Sequence, residues 1–272
     1  MNGYRGVDAH AHVFHRRLKM DLARRYTPVT DASLSAYLEV LNQLGITKGI
    51  LVQPSFLGFD NAFLLECITK SDGRLRGVAV VSPDVSSDTL NNLMAREVVG
   101  IRLNLIGTEI PDFQTPKWRS YLKRIADAGL HLEVQCRGHE SRDILRTILD
   151  ILPHVVLDHF GLPINGDSDD QTIRQVLEFG STRQVFVKLS APYRFLPDNA
   201  NLEPLLTVYL EAFGPKNLLW GSDWPHTQFE SRGDVSTVLT ALGQLLGRET
   251  PEYAMVTSGT AEALYRFPPE AH

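Results

Sequence analysis

The run Val7-Asp8-Ala9-His10-Ala11-His12 and the run Leu218-Leu219-Trp220-Gly221-Ser222-Asp223-Trp224-Pro225-His226 stand near opposite ends of the chain. In a strand, residues i and i+2 point to one face, so His10 and His12 project together. Asp223 leaves its own apolar run in the same manner. If the first and last strands are neighbours in a closed sheet, Asp223 arrives beside both imidazoles. The two ends of the chain then build one site, and this decides between a closed and an open sheet.

The sequence between them supports closure. Short β-branched runs at 6–9, 49–53, 77–81, 100–103, 131–135, 155–158, 185–188 and 218–221 read as eight strands. Helical spacing of apolar residues fills the intervals at 31–44, 62–69, 87–96, 118–128, 141–152, 169–179, 202–212 and 235–246. Asp31 is placed to cap the first of these helices and Gly45 to end it. A final helix over 252–265 packs after the eighth unit. Strands this apolar indicate a parallel sheet buried on both faces. Eight strand–helix units predict an α/β chain forming a single (β/α)8 barrel of the TIM type, one domain over 1–272. The rival is an open doubly wound sheet, but no Gly-rich phosphate loop follows any strand.

Bulk properties narrow the function. The 272 residues carry a formal net charge of −5 with no basic stripe, which argues against nucleic acid or an anionic membrane as partner. Cys67 and Cys136 are too few for a disulfide framework and read as core thiols of a reducing compartment. The N-terminus lacks a signal-peptide pattern and no stretch reaches membrane-spanning length. A cytoplasmic protein is expected, with the oligomeric state left open.

In a barrel of this kind, active-site groups sit at the C-terminal ends of the strands. His10 and His12 close strand 1, His159 follows strand 6, and Asp223 follows strand 8. Each alone has a bland reading as a core or capping residue; four together at one rim are a candidate catalytic set. Arg102 on strand 4 and Arg194 after strand 7 either pair with neighbouring acids or bind a substrate carboxylate with their planar forks. Tyr26, in the loop after strand 1, is a lid or a packing residue. Ser55 after strand 2 and Gln135 on strand 5 complete the candidate binding set. His131 begins its strand, at the opposite face, while His15, His139, His154 and His272 fall in segments expected to be exposed.

With these residues placed, the chain resembles the amidohydrolase superfamily, and within it the lactonase group of the 2-pyrone-4,6-dicarboxylate type. The matching segments are 7–14, 25–33, 52–61, 100–104, 157–161, 188–194 and 219–226, in order along nearly the whole chain. The resemblance implies that Asp223 is the general base for an attacking water. It implies that His10, His12 and His159 polarise the lactone carbonyl, and that Arg102, Arg194 and Tyr26 hold substrate carboxylate or carbonyl. Three positions depart from the group's pattern. Thr108 and Leu162 stand where it has arginines, and Gln135 stands where it has a tyrosine. A second substrate carboxylate is therefore poorly answered unless Arg137 substitutes.

Metal-dependent members of the superfamily add a histidine on strand 5 and often a lysine or glutamate on strand 4. This chain offers Glu133 and Gln135 on strand 5 and Arg102 on strand 4. No cofactor is expected, although His10, His12, His159 and Asp223 could supply the ligands of a single divalent ion such as zinc. The expected activity is hydrolytic opening of a small anionic lactone by Asp-activated water. The alternatives are a metal-dependent amide hydrolase or non-oxidative decarboxylase of the same superfamily, and a non-catalytic binder of carboxylates.

Overall fold

Parallel neighbours and buried faces follow from strands that alternate between two apolar environments. The computed structural model describes residues 6–167 and 170–268. Eight strands form one sheet in sequential order: β1 (Val7–Ala11), β2 (Lys48–Val52), β3 (Leu75–Ala79), β4 (Val98–Asn104), β5 (His131–Gln135), β6 (Val155–Leu157), β7 (Val185–Leu189) and β8 (Leu218–Trp220). Each consecutive pair is parallel. β8 returns to β1 just beyond its end, where the Asp223 amide donates to His10 O (2.9 Å) and the His12 amide donates to Trp224 O (2.7 Å). The sheet is thus a barrel, with helices in the intervals, as the strand–helix alternation predicts.

Outward-facing strand residues such as Leu132, Val134, Val187 and Leu218 share a core with helix residues including Tyr37, Leu41, Tyr121, Leu122 and Ile125. Each such buried side chain contributes about 1.5–3 kcal/mol relative to exposure. A second cluster, of Val7, Ala9, Ile50, Val52, Val78, Val156 and Leu219, packs on Tyr265 and Phe267 from the chain's end.

The helices that follow the eight strands in turn are α1 (Leu34–Leu44), α2 (Ala62–Thr69), α3 (Ser87–Ala95), α4 (Pro116–Asp127), α5 (Gly138–Ile148), α6 (Gln171–Leu177), α7 (Glu203–Phe213) and α8 (Thr237–Leu246). Most expected bounds differ by one to four residues. Asp31 is not the cap of α1. Its carboxylate accepts the Arg16 amide, and Ser33 caps instead, accepting the Ala36 amide; Gly45 ends the helix in the left-handed region as expected. The final helix is not one α-helix but α9 (Pro251–Ala254), a π-helical segment (Met255–Gly259) and α10 (Thr260–Leu264). Its β-branched residues and Gly259 are weak α-formers, and the Thr257 hydroxyl donates to Tyr253 O. The expected helix start at Asp169, and His272, lie outside the described residues. Among the described residues no helix is long and apolar enough to cross a membrane.

Candidate active site

Simple alternation does not account for β1. Asp8 faces α1, where it accepts from the Tyr37 hydroxyl, so unbroken alternation would send His10 and His12 the same way. The register with β2 shifts between Asp8 and Ala11, and this irregularity returns both imidazoles to the barrel mouth. Asp8 then ties the seam, accepting the Ser222 amide (2.8 Å) and the Ser222 hydroxyl (2.6 Å). Gly221 lets β8 approach, since a Cβ there would stand 2.9 Å from His10 Cβ.

Asp223 Oδ1 faces three imidazoles: His10 Nε2 at 3.7 Å, His12 Nε2 at 3.8 Å and His159 Nε2 at 3.9 Å. All four side chains are buried, and Asp223 Oδ1 has no hydrogen-bond partner. Its other oxygen, Oδ2, accepts from Tyr193 Oη (2.6 Å), Arg194 Nε (3.0 Å) and Arg194 Nη2 (2.7 Å). Asp223 and His159 have left-handed backbone, with φ of 58° and 52°. Such backbone costs non-glycine residues about 1–2 kcal/mol and clusters at functional sites.

Two tautomers follow from the partners. Val52 O can only accept, so the His12 Nδ1 facing it at 2.7 Å carries the proton and Nε2 bears a lone pair. His10 Nδ1 faces the Lys188 ammonium at 3.0 Å, which can only donate, and the Asp158 carboxylate at 3.2 Å, which can only accept; with the nearer ammonium donating, Nε2 carries the proton. Asp158 Oδ1, 3.2 Å from His10 Nδ1, is left without a hydrogen-bond partner. His10 Nε2 lies 3.3 Å from His12 Nε2, donor facing acceptor. His159 Nδ1 meets Ser190 Oγ at 2.9 Å, a hydroxyl that serves either role.

Electrostatics keep these imidazoles neutral. Burial, then Lys188, holds His10 well below the usual range. Burial, then Arg102, lowers His12 to about 4, and burial lowers His159 to about 3. Burial would raise Asp223, but its charged surroundings, the Arg194 guanidinium first among them, outweigh it and hold the carboxyl well below 3.8. Beneath them Lys188 pairs with Glu133 and with Asp158 (3.4 Å). Burial and the nearby Asp158 raise Glu133 to about 8.

Above lies a cavity of about 230 Å³ lined by His12, Tyr26, Ser55, Arg102, Gln135, His159 and Arg194, among others. His10 and Asp223 do not line it; both are fully buried, with Asp223 facing His12 and His159, which do. The two predicted carboxylate-binding arginines both face acids of the protein. Arg102 donates to Asp158 Oδ2 (Nε 3.1 Å, Nη2 2.9 Å) and to Gln135 Oε1 (2.7 Å), while Arg194 holds Asp223. The Tyr26 hydroxyl donates to Glu230 across the mouth. Arg137 is exposed and does not line the cavity. His131 is buried at the start of β5 against Tyr265, His139 and His154 are exposed, and His15 is half-buried.

Sequence reasoning gave no role to Lys188, Asp158, Tyr193, Ser190, Asp8 or Arg25. Lys188 was readable only as an ion inside an apolar strand. Arg25 also lines the cavity, and the Arg24-Arg25-Tyr26 run was its only signal. Among the described residues, two groups of histidine and carboxylate side chains have ligand atoms within 4.8 Å of one another, His10–His159–Asp223 and His10–Glu133–Asp158.

The amidohydrolase family model matches residues 7–267. The 2-pyrone-4,6-dicarboxylate hydrolase of Comamonas testosteroni is 32% identical over 237 residues, 81% of this chain and 76% of that protein. The 4-sulfomuconolactone hydrolase of Rhizobium radiobacter is 26% identical over 239 residues, 82% and 76% of the two chains. A crystal structure of a probable 2-pyrone-4,6-dicarboxylic acid hydrolase from Acinetobacter baumannii, with citric acid bound, superposes with a TM-score of 0.89. It is 30% identical, and the match covers 96% of this chain and 99% of that one.

Proposed function

The chain belongs to the amidohydrolase family, and from that premise we propose that it opens a small anionic lactone by attack of water activated at Asp223. The observation that carries the reading is the bare Oδ1 of Asp223 facing three imidazoles, two of which, His12 and His159, line a polar cavity. Asp223 Oδ1, His10 Nε2 and His12 Nε2 form a triangle with edges of 3.3, 3.7 and 3.8 Å. A water about 2.8 Å from each corner donates to Oδ1 and to the His12 lone pair and accepts from His10 Nε2–H. One lone pair stays free for the lactone carbonyl.

Attack joins the water oxygen to the carbonyl carbon as Oδ1 takes a proton. The tetrahedral intermediate collapses by breaking the ring C–O bond, and the departing alkoxide or enolate recovers the proton. With Ser190 donating to its Nδ1, His159 presents Nε2–H to the oxyanion. A positioned base supplies about 10²–10⁴-fold and an oxyanion donor about 10²–10³-fold. A lactone's leaving group needs less assistance than an amide's amine.

The superfamily's divalent ion fits these residues poorly. Separation alone would admit one, since the His10 and His12 Nε2 atoms are 3.3 Å apart. Metal-bound histidines, however, donate their other N–H to a carboxylate or carbonyl. His12 meets that pattern through Val52 O, and Asp158 stands 3.2 Å from His10 Nδ1, but the nearer group there is the Lys188 ammonium, whose donation would put the His10 proton on the nitrogen a metal would need. The proposed steps run on the side chains alone.

The test is a panel of lactones, charged and uncharged, with acid release followed by a pH indicator. Ring opening of anionic members supports the proposal. If none is opened while carboxylic acids raise the melting temperature, the barrel is a binder and the proposal fails.

A further inference from the structure

Three guanidiniums line the cavity: Arg25, Arg102 and Arg194. Arg102 is matched by Asp158 and Arg194 by Asp223. Among the described residues, Arg25 has no carboxylate within ion-pair distance. It has only the long hydrogen bond from Nη2 to Asn104 Oδ1, at 3.4 Å. It is the cation of the cavity wall whose charge the protein does not answer.

Its position is built. Gly107, at φ 73°, lets the loop after β4 lie against the arginine stem, because a Cβ there would stand 2.9 Å from Arg25 Cδ. The next residue, Tyr26, is tied by its hydroxyl to Glu230 and packs on Phe56 with ring centroids 5.8 Å apart. Arg25 is therefore carried on a strap fixed across the mouth. Partial burial, then Arg102 and Arg194, lowers its pKa. Arg25 is exposed, so an anion entering here meets its guanidinium without displacing a protein carboxylate.

We propose that Arg25 is the specificity-determining residue of the site and receives the single acidic group of a monoanionic lactone on the Asn104 side of the cavity. The inference rests on the lactone reading above and adds the substrate's charge and orientation. One unmatched guanidinium answers one carboxylate or sulfonate. Thr108 and Leu162 add no second charge, and Arg137 does not line the cavity.

The experiment compares matched lactones carrying no, one and two carboxylates, using the full chain, Arg25→Met and Arg25→Lys. The unaltered protein is expected to favour the monocarboxylate over its methyl ester by about 10- to 100-fold in kcat/KM, the range of one charged hydrogen-bonded contact. Arg25→Met should erase that preference mainly through KM, and Arg25→Lys should keep part of it. An equal proportional loss on charged and uncharged lactones would overturn the proposal, as would an Arg25-dependent preference for the dicarboxylate. If the unaltered protein opens none of them, the lactone reading fails by itself. Calorimetric titration with the intact monocarboxylate lactone then still tests the anchor: binding abolished by Arg25→Met supports it, and binding unchanged overturns it.

Discussion

Arg194 places both Nε and Nη2 on a single oxygen of Asp223, Oδ2, and leaves Oδ1 bare. One carboxylate is thereby divided into an anchored oxygen and an unbonded one. The ion pair holds Asp223 ionised in a fully buried position, and the free oxygen is aimed at the imidazoles.

Asp223→Asn should therefore lower kcat on a confirmed lactone by about 10²–10⁴-fold, the worth of a positioned general base. It also removes the charge opposite a largely buried arginine, so stability should fall by about 3–5 kcal/mol. Steady-state kinetics beside urea unfolding separates the two effects. Near-normal turnover would rule out Asp223 as the base.

The Lys188–His10 contact predicts metal independence. Protein purified without added metal should hold much less than one equivalent by plasma mass spectrometry, and lactone turnover should survive chelation. One tightly held zinc with chelator-sensitive activity would reverse this and turn His10 and His12 into ligands.

The barrel was legible because eight apolar runs alternate with amphipathic segments, and that periodicity is a direct imprint of burial. The convergence of His10, His12, His159 and Asp223 was legible because closure brings first and last strands together. The register shift in β1 was not, since it depends on pairing with β2 and leaves no mark in alternation. Lys188 and Glu133 sit in strands that read as apolar or mixed, and their pairing reaches from β7 past β6 to β5 inside the closed barrel, which no strand shows by itself. The arginines illustrate the same limit: sequence identifies a planar cation but not whether the fold has already supplied its anion.

Buried neutral histidines make the fold acid-sensitive. His10, His12, His131 and His159 all have folded pKa values depressed below 6.5, to about 4 for His12 and about 3 for His131 and His159. The unfolded chain takes up these protons first, so their contribution is lost as pH falls below 6.5. Asp8, raised to about 6, and Glu133, raised to about 8, act oppositely, since the folded state protonates them first. Their added stability grows as pH falls from about 8 to 4.5 for Glu133 and from about 6 to 3.8 for Asp8. Four histidines outweigh two carboxyl groups, each worth about 1.4 kcal/mol per pH unit. The urea midpoint at pH 5 should lie well below that at pH 7; an unchanged midpoint would show that the imidazoles are not held neutral.

Tyr193→Phe tests the anchored half of Asp223. The tyrosine follows β7, is pushed far above its ordinary pKa by burial and by Asp223, and so remains a donor. Its hydroxyl lies 2.6 Å from Asp223 Oδ2 and 3.0 Å from His226 Nδ1. Removing it leaves both arginine bonds in place, so the carboxylate keeps its charge while losing one restraint on its plane. One hydrogen bond to a charged group contributes about 1.5–3 kcal/mol. A fall in kcat of about 10-fold or more with KM nearly constant is expected, because the residue touches the base and does not line the cavity. A rise in KM with kcat unchanged would instead place Tyr193 on the substrate.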